Sequence, residues 1–194
     1  MSANDRRLAR RLVVGAGLAV FGVIVASAFI RHAQVAHPVA TEVARILHRI
    51  GATSALLVIV MVPFMLLRGE TMRGERRLAH VALVIVIALA LLGVATPGSK
   101  STLVAVGNMA GGFVLLATLA VLATRLREPT ATRDRLVPAA VGCALVALAT
   151  GAVAWAAPSL AATLAHNATS ALAMAGLAAA YLGRTSVDAR GAGP

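Results

Sequence analysis

Two histidines stand inside long apolar stretches of this 194-residue sequence, and imidazole is a side chain that binds metals and transfers protons near neutral pH. His48 lies near the start of one stretch, and His166 lies about two turns into another. On a helix, each imidazole has small residues at the i+3, i+4 and i+7 positions beneath it. Two imidazoles above smooth helix faces are typical of bis-histidine ligation of a planar haem. The pattern predicts that His48 and His166 are the axial iron ligands of one b-type haem.

A simpler interpretation of the same residues stays open. Each histidine could form a hydrogen bond to a neighbouring helix, and the small residues could serve the close packing of membrane helices through Gly, Ala, Ser and Thr. An ionisable group inside a membrane segment is nevertheless costly, so two of them at similar depth favour a functional site. The sequence alone does not separate these two interpretations.

Charged residues near His48 add candidates for the same site. Arg45 and Arg49 could neutralise haem propionates, although arginines at such positions also extend towards lipid headgroups. Glu42 is a candidate catalytic carboxylate, but an acidic residue is also favoured in the first turn of a helix by the helix dipole. Whether the chain catalyses a reaction is left open.

The remaining candidate ligands are weaker. His32 and His37 lie in a connection at a spacing that suits no shared helical site, and His80 is expected at the membrane interface beside arginines. Asn108 stands where a repeat of the pattern would place a histidine, so its hairpin is expected to supply no axial ligand. A single cysteine, Cys143, excludes an internal disulfide and a thiolate metal cluster.

Six apolar stretches must position these side chains. Each approaches the ~20 residues that a helix needs to cross the hydrocarbon layer. A composition that is 59% hydrophobic, with a mean hydropathy of +0.87, excludes a soluble domain of this length. We therefore predict an all-α membrane bundle that forms one domain over residues 1–194. The expected helices are 12–30, 46–67, 78–97, 102–124, 136–157 and 160–182.

The basic residues indicate how the bundle is oriented. Fourteen of the eighteen Lys and Arg residues lie before the first apolar stretch or after the second, fourth and sixth, which places them on one side of the membrane. The positive-inside rule therefore predicts cytoplasmic termini in an inner (cell) membrane. The net charge of +11 is thus explained by topology and contact with anionic headgroups, and no nucleic-acid partner is expected. The fourteen are Arg6, Arg7, Arg10, Arg11, Arg68, Arg73, Arg76, Arg77, Arg125, Arg127, Arg133, Arg135, Arg184 and Arg190.

Short connections predict three antiparallel hairpins of two helices each. Pro38 suits the first turn of the second helix, where Thr41 could act as its cap, and Ser159 could cap the sixth. The paired glycines Gly111 and Gly112 are expected to face another helix or a cofactor.

An internal repeat is suggested by the pentapeptide ATSAL, which occurs at 52–56 and again at 168–172. Each copy follows a histidine within a few residues, in the second helix of the first and third hairpins. Duplication and chance in an alanine-rich chain explain this match about equally well.

Three segments together resemble the haem A synthase family. They are 46–60 (ILHRIGATSALLVIV), 88–128 and 146–173. The resemblance implies two four-helix halves, histidine-ligated haem, and oxidation of the haem O methyl group to a formyl group, with His48 and His166 at ligand positions. This chain departs from the family in having six expected helices rather than eight, Asn108 in place of a histidine, and Arg45 in place of an acid.

The sequence thus favours a haem-binding membrane protein with an electron-transfer or haem-handling role for a respiratory complex. The alternative is a cofactor-free structural or assembly subunit of a larger membrane complex. A transporter of small solutes is disfavoured, because the apolar stretches contain no polar pathway that reaches the midplane.

Overall fold

A computed structural model describes residues 2–33, 36–67, 72–95, 102–127 and 136–182 of the chain. The described residues form six helices and no strand, which confirms the predicted all-α class. The helices are α1 (Ala3–Ala33), α2 (Pro38–Leu66), α3 (Arg73–Ala95), α4 (Thr102–Arg125), α5 (Leu136–Ala156) and α6 (Leu160–Leu182).

Helices α4, α5 and α6 begin and end close to the predicted residues, whereas α1, α2 and α3 begin earlier than predicted. The reason is that hydropathy marks only the apolar part of a helix. The chain stays helical through the arginine-rich residues before Leu12 and Leu78, where the long side chains reach water while the backbone keeps its internal hydrogen bonds.

The connection between α1 and α2 is much shorter than predicted. His32 lies in the last turn of α1 rather than in a connection, and His37 is the N-cap residue of α2. Pro38 occupies the first turn, as expected. Thr41 does not cap the helix, which corrects the prediction; its hydroxyl donates to the carbonyl oxygen of His37 at 2.9 Å. Ser159 does cap α6, because its Oγ accepts a hydrogen bond from the Ala162 amide at 3.1 Å.

The first four helices form a closed ring in which α1 packs on α2, α2 on α3, α3 on α4, and α4 on α1. Helix α6 packs against the ring through both α1 and α4, while α5 packs mainly on α6. The three predicted hairpins are therefore present, and the third is attached to the ring largely through its second helix.

Exposed apolar side chains surround the bundle, and the chain is a multi-pass membrane protein. Helices α1 to α4 are long and apolar enough to cross a bilayer, and α5 is apolar over the shorter span Pro138–Ala154. Large hydrophobic residues are exposed on every helix, with Leu18 at 68%, Leu57 at 61% and Leu148 at 72% of their surface. Contact with lipid tails removes the cost of such exposure.

The two ends of the ring differ in how tightly they are packed. We call the end that holds the start of α1 the Arg-rich end, and the end where the hairpins turn the hairpin end. In the half nearest the Arg-rich end, all four helices contribute fully buried side chains, as in a soluble core. This half is lined by Val13, Ala16, Ile59, Val62, Ala79, Ala82, Leu119 and Leu122.

Gly111 and Gly112 both face neighbouring helices, which confirms the prediction made for them. A Cβ atom added at Gly112 would lie 3.2 Å from Ile24 Cγ1 on α1. At Gly111, an added Cβ atom would lie 2.6 Å from Leu89 Cδ2 on α3. The missing side chains thus allow α4 to approach both neighbours closely.

Replacing Gly112 with Leu should therefore destabilise the fold by about 1–3 kcal/mol, because the larger side chain overpacks the contact with Ile24. Thermal unfolding in detergent measures the effect. Gly22→Leu is the matched control, since an added Cβ atom there meets no atom within 4 Å. Equal stability of the two variants would contradict the tight α1–α4 contact.

Candidate functional site

His48 faces α1. Its Nδ1 atom lies 3.1 Å from the hydroxyl oxygen of Ser27, and the imidazole is half-buried. Three residues further along α2, Gly51 packs directly on α1, where an added Cβ atom would lie 3.1 Å from Val23 Cγ2. Part of the small-residue face beneath His48 therefore serves close helix packing, as the simpler interpretation of the sequence expected.

His166 faces α5. Its Nδ1 atom donates a hydrogen bond to the carbonyl oxygen of Ala147 at 2.9 Å, and a carbonyl can only accept. A Cβ atom added at Gly151 would lie 2.9 Å from the imidazole Cε1, so the ring fits against a bare stretch of backbone. One turn below, the hydroxyls of Thr150 and Thr169 lie 3.3 Å apart across the same two helices.

The structure does not bring the two histidines together. His48 is directed at the α1–α2 interface and His166 at the α5–α6 interface, while α1 and α6 themselves pack against each other. Ligation of one haem by both imidazoles stays a prediction, and it would require the rings to leave these contacts. The two hairpins do share one detail, since each histidine contacts the preceding helix of its own hairpin through Nδ1.

His48 also continues the interior face of α2. The buried residues of this helix recur at helical spacing towards the Arg-rich end: Ala55, Ile59, Val62 and Leu66. His48 and Ala52 precede Ala55 by seven and three residues, so they occupy the same face at the hairpin end. The imidazole therefore lies on the side of α2 that faces the interior of the ring.

Other polar and small residues continue the interior faces of the remaining helices. Asn108 precedes buried Gly112 by four residues and buried Leu115 by seven, and Ser27 follows buried Ile24 by three. On α3, Ala90 and Gly93 follow buried Val86 by four and seven residues. We call this set the hairpin-end site, which comprises Ser27, His48, Ala52, Ala90, Gly93 and Asn108.

The hairpin-end site is loosely packed. Along α2 no residue between Thr41 and Ala55 is buried, and along the described part of α3 none is buried after Val86. Gly93 shares a helix face with Val86 by spacing but is exposed, and an added Cβ atom there would meet no atom within 4 Å. Asn108 is half-buried, and its side chain makes no hydrogen bond within the described part of the chain. The described parts of α2 and α3 are thus less closely packed at the hairpin end than at the Arg-rich end.

The charged candidates lie near the entrance of the site. Arg45 forms an ion pair with Glu42 one turn away on the same helix, and Glu42 is exposed. A catalytic role for Glu42 stays a prediction, but its carboxylate is engaged by Arg45 at the surface. Arg49 is exposed. It adjoins His48 without an ion pair in the described residues, so it is the freer of the two arginines to meet an anionic group.

The donor set of the hairpin-end site fits a haem held by one histidine. Imidazole is a common axial ligand, and its Nδ1 contact with Ser27 is the type of hydrogen bond that orients a ligating ring. Ala52, Ala90 and Gly93 carry no bulky side chain at the same end of the bundle, and the exposed Arg49 could supply a cation for a propionate. His80, by contrast, bonds to the carbonyl oxygen of Arg76 on its own helix at the Arg-rich end.

Sequence reasoning missed two members of the site. Ser27 is not among the predicted site residues, although its spacing from Ile24 places it on the interior face. Gly93 carried no signal of its own. Both residues could have been identified by extending the helical spacing of the buried apolar residues of α1 and α3 towards the hairpin end.

Searches of this chain against protein-family models, curated proteins and solved structures found no match. The resemblance to haem A synthases stays a prediction.

Proposed function

We propose that this membrane protein binds one b-type haem at the hairpin-end site and serves electron transfer or haem handling for a respiratory complex. His48 would hold the iron, and Arg49 would neutralise a propionate. Asn108 would present its amide from α4, on the opposite side of the ring of helices. A haem bound there supplies a one-electron couple. This proposal replaces ligation by two histidines with ligation by His48 alone.

The observation that carries the proposal is the change from apolar to polar side chains along the interior faces of the ring of helices. Near the Arg-rich end the interior is closed and, apart from the buried Glu75, apolar. At the hairpin end the same helix faces carry an imidazole, a hydroxyl and a carboxamide among small residues. Polar groups in a membrane interior are costly unless they find partners. The Asn108 amide finds none in the described chain, which supports a bound group at this site.

The contact between Ser27 and His48 supports the same role. In the tautomer whose Nδ1–H donates to the Ser27 hydroxyl, Nε2 keeps a lone pair for a metal. The protein's own contribution is then to fix the ring orientation and to keep bulk water away from the iron-facing side.

A visible absorption spectrum of the purified protein tests the proposal. We expect a Soret band when the protein is produced in cells supplied with haem precursors, or after haem is added to the purified protein. A protein that is folded by circular dichroism and shows no Soret band under both conditions would overturn it.

We further propose that the Arg-rich end faces the cytoplasm of a cell whose inner membrane holds the protein. The asymmetry of arginine between the two ends supports this orientation. Reporter fusions after Gly69, Arg127 and Arg184 should report cytoplasm, and a fusion at Lys100 should report the opposite side. A single inverted result among the four would contradict the orientation.

A second candidate function is that of a cofactor-free structural or assembly subunit. It is favoured by α5, whose main neighbour is α6 and which leaves Leu145 and Leu148 exposed at 62% and 72%. Such a face could contact another subunit as well as lipid. Absence of haem together with co-purification of a stoichiometric membrane partner through α5 would select this function.

A further inference from the structure

Arg10 is a partly buried member of the basic residues at the Arg-rich end. Its side chain is half-buried, and its Nε atom is closed off from solvent without a hydrogen-bond partner. Within the described residues Arg10 makes no ion pair. The next residue, Arg11, is exposed. A buried Nε–H group without an acceptor is costly, and this cost points to an acceptor that the described chain does not supply.

The position of Arg10 on α1 shows where that anion would lie. Gly17 and Ile24 follow Arg10 at seven-residue steps, so the three share one face of the helix. Gly17 faces Leu116 of α4, where an added Cβ atom would lie 3.9 Å from Leu116 Cδ1, and Ile24 contacts Gly112 of the same helix. The two helices are antiparallel, so Arg10 lies level with the last turns of α4.

A second arginine occupies the same face. Arg6 lies one turn before Arg10, is also half-buried, and makes no ion pair within the described residues. Like charges at i and i+4 repel each other on a helix. The flanking Ala9 and Val13 are fully buried, so this turn of α1 is held against the bundle and cannot swing freely into water. Two adjacent guanidinium groups held in this way are suited to bridging one phosphate.

We propose that Arg6 and Arg10 bind the phosphate of an anionic phospholipid at the Arg-rich end, where α1 meets α4. Both helices are membrane-spanning, so the start of α1 lies at the level of lipid headgroups. A phospholipid can place its phosphate between the arginines while its tails lie along the exposed apolar surface of α1, which includes Val14 and Leu18. Basic clusters at the ends of membrane helices recognise anionic headgroups in this way.

Lipid-dependent thermal stability tests the proposal on the full-length protein in detergent. Added phosphatidylglycerol or cardiolipin should raise the Tm, and phosphatidylcholine should not, because a ligand that binds only the folded state stabilises it. Inorganic phosphate at the same concentration should raise the Tm far less, since it lacks the tails. An equal effect of inorganic phosphate would assign the site to a free anion and overturn the phospholipid assignment.

The matched variants are Arg10→Gln and Arg11→Gln, which remove the same charge from neighbouring residues of one helix. Arg10→Gln should abolish most of the rise in Tm caused by anionic lipid, and Arg11→Gln should retain it. Equal loss in both variants would show a diffuse charge effect and overturn the proposal.

Arg10→Lys provides a second measurement should Arg10→Gln fold poorly. Lysine keeps the charge but lacks the planar fork, so an intermediate rise in Tm is expected. Native mass spectrometry should show one anionic lipid retained by the unmodified protein and by Arg11→Gln. Retention of that lipid by Arg10→Lys at the level of the unmodified protein, with an unchanged rise in Tm, would contradict a guanidinium-specific site.

Discussion

His48→Ala should abolish the Soret band, with haem absorbance per protein falling about tenfold or more. Loss of a residue that only hydrogen-bonds to a metal ligand lowers metal affinity about 10–100-fold, so loss of the ligand itself should cost at least as much. Ser27→Ala should weaken binding less and broaden the spectrum, because it frees the imidazole to rotate without removing it. Absorbance spectra of equal amounts of folded protein provide the measurement.

His166→Ala is the informative comparison for that experiment. Its imidazole bonds to Ala147 between α5 and α6, away from the ring interior, so the Soret band should remain. Some loss of stability is expected, about 1 kcal/mol, from the interhelical hydrogen bond. His80→Ala, at the opposite end, should change neither property. Loss of the band in both His48→Ala and His166→Ala would restore the two-histidine prediction and show that the hairpins can rearrange around a haem.

Gly93→Trp should weaken haem binding by about tenfold to a hundredfold while leaving the fold intact. The indole would occupy the loosely packed side of the hairpin-end site, and overpacking of this kind costs about 1–3 kcal/mol. The backbone should tolerate the change, because an added Cβ atom at Gly93 meets no atom within 4 Å. A haem titration followed by the change in Soret absorbance measures the affinity.

Gly142→Trp is the matched control for the same substitution. Gly142 lies on α5, which is not one of the four ring helices, and an added Cβ atom there also meets no atom within 4 Å, so its indole should lie outside the ring. Haem affinity should equal that of the unmodified protein. If Gly93→Trp also retained full affinity, the bound group would not lie beside α3, and the ring interior would be excluded as its site.

The sequence was sufficient to predict the number of helices and most of their ends, but not which helix packs against which. Apolar length and turn residues predicted six helices, and Ser159 was correctly expected to cap the last of them. Hydropathy alone placed the start of α2 too late, because Pro38 to Arg45 are too polar for a hydropathy signal, although Pro38 itself was expected in the first turn. Hydropathy measures burial in lipid, whereas a helix persists wherever its backbone hydrogen bonds are kept.

For the candidate site, too, position along the helix was predictable and the neighbouring helix was not. The membrane depth of His48 and His166 could be inferred from position along the chain, but not the neighbour that each would meet. That neighbour depends on the rotation of each helix within the bundle, which packing against other helices decides. Gly111 and Gly112 were placed correctly because paired glycines have a packing reason wherever they occur in a span. Asn108 is assigned to the site because it shares a helix face with the buried Leu115, and the sequence alone does not show that Leu115 is buried.

The attachment of the third hairpin has a consequence for biosynthesis. The ring of α1 to α4 closes on itself, so every helix in it has two ring neighbours as soon as α4 has entered the membrane. Helix α6 can then dock on a finished surface, and α5 adds contacts mainly to α6. A helix with few packing neighbours needs less free energy to open locally than one with several. Helix α5 should therefore detach first under mechanical or detergent stress, while the ring stays intact. The proposed haem site inside the ring would thereby be assembled early and would lie apart from α5, the least firmly held helix.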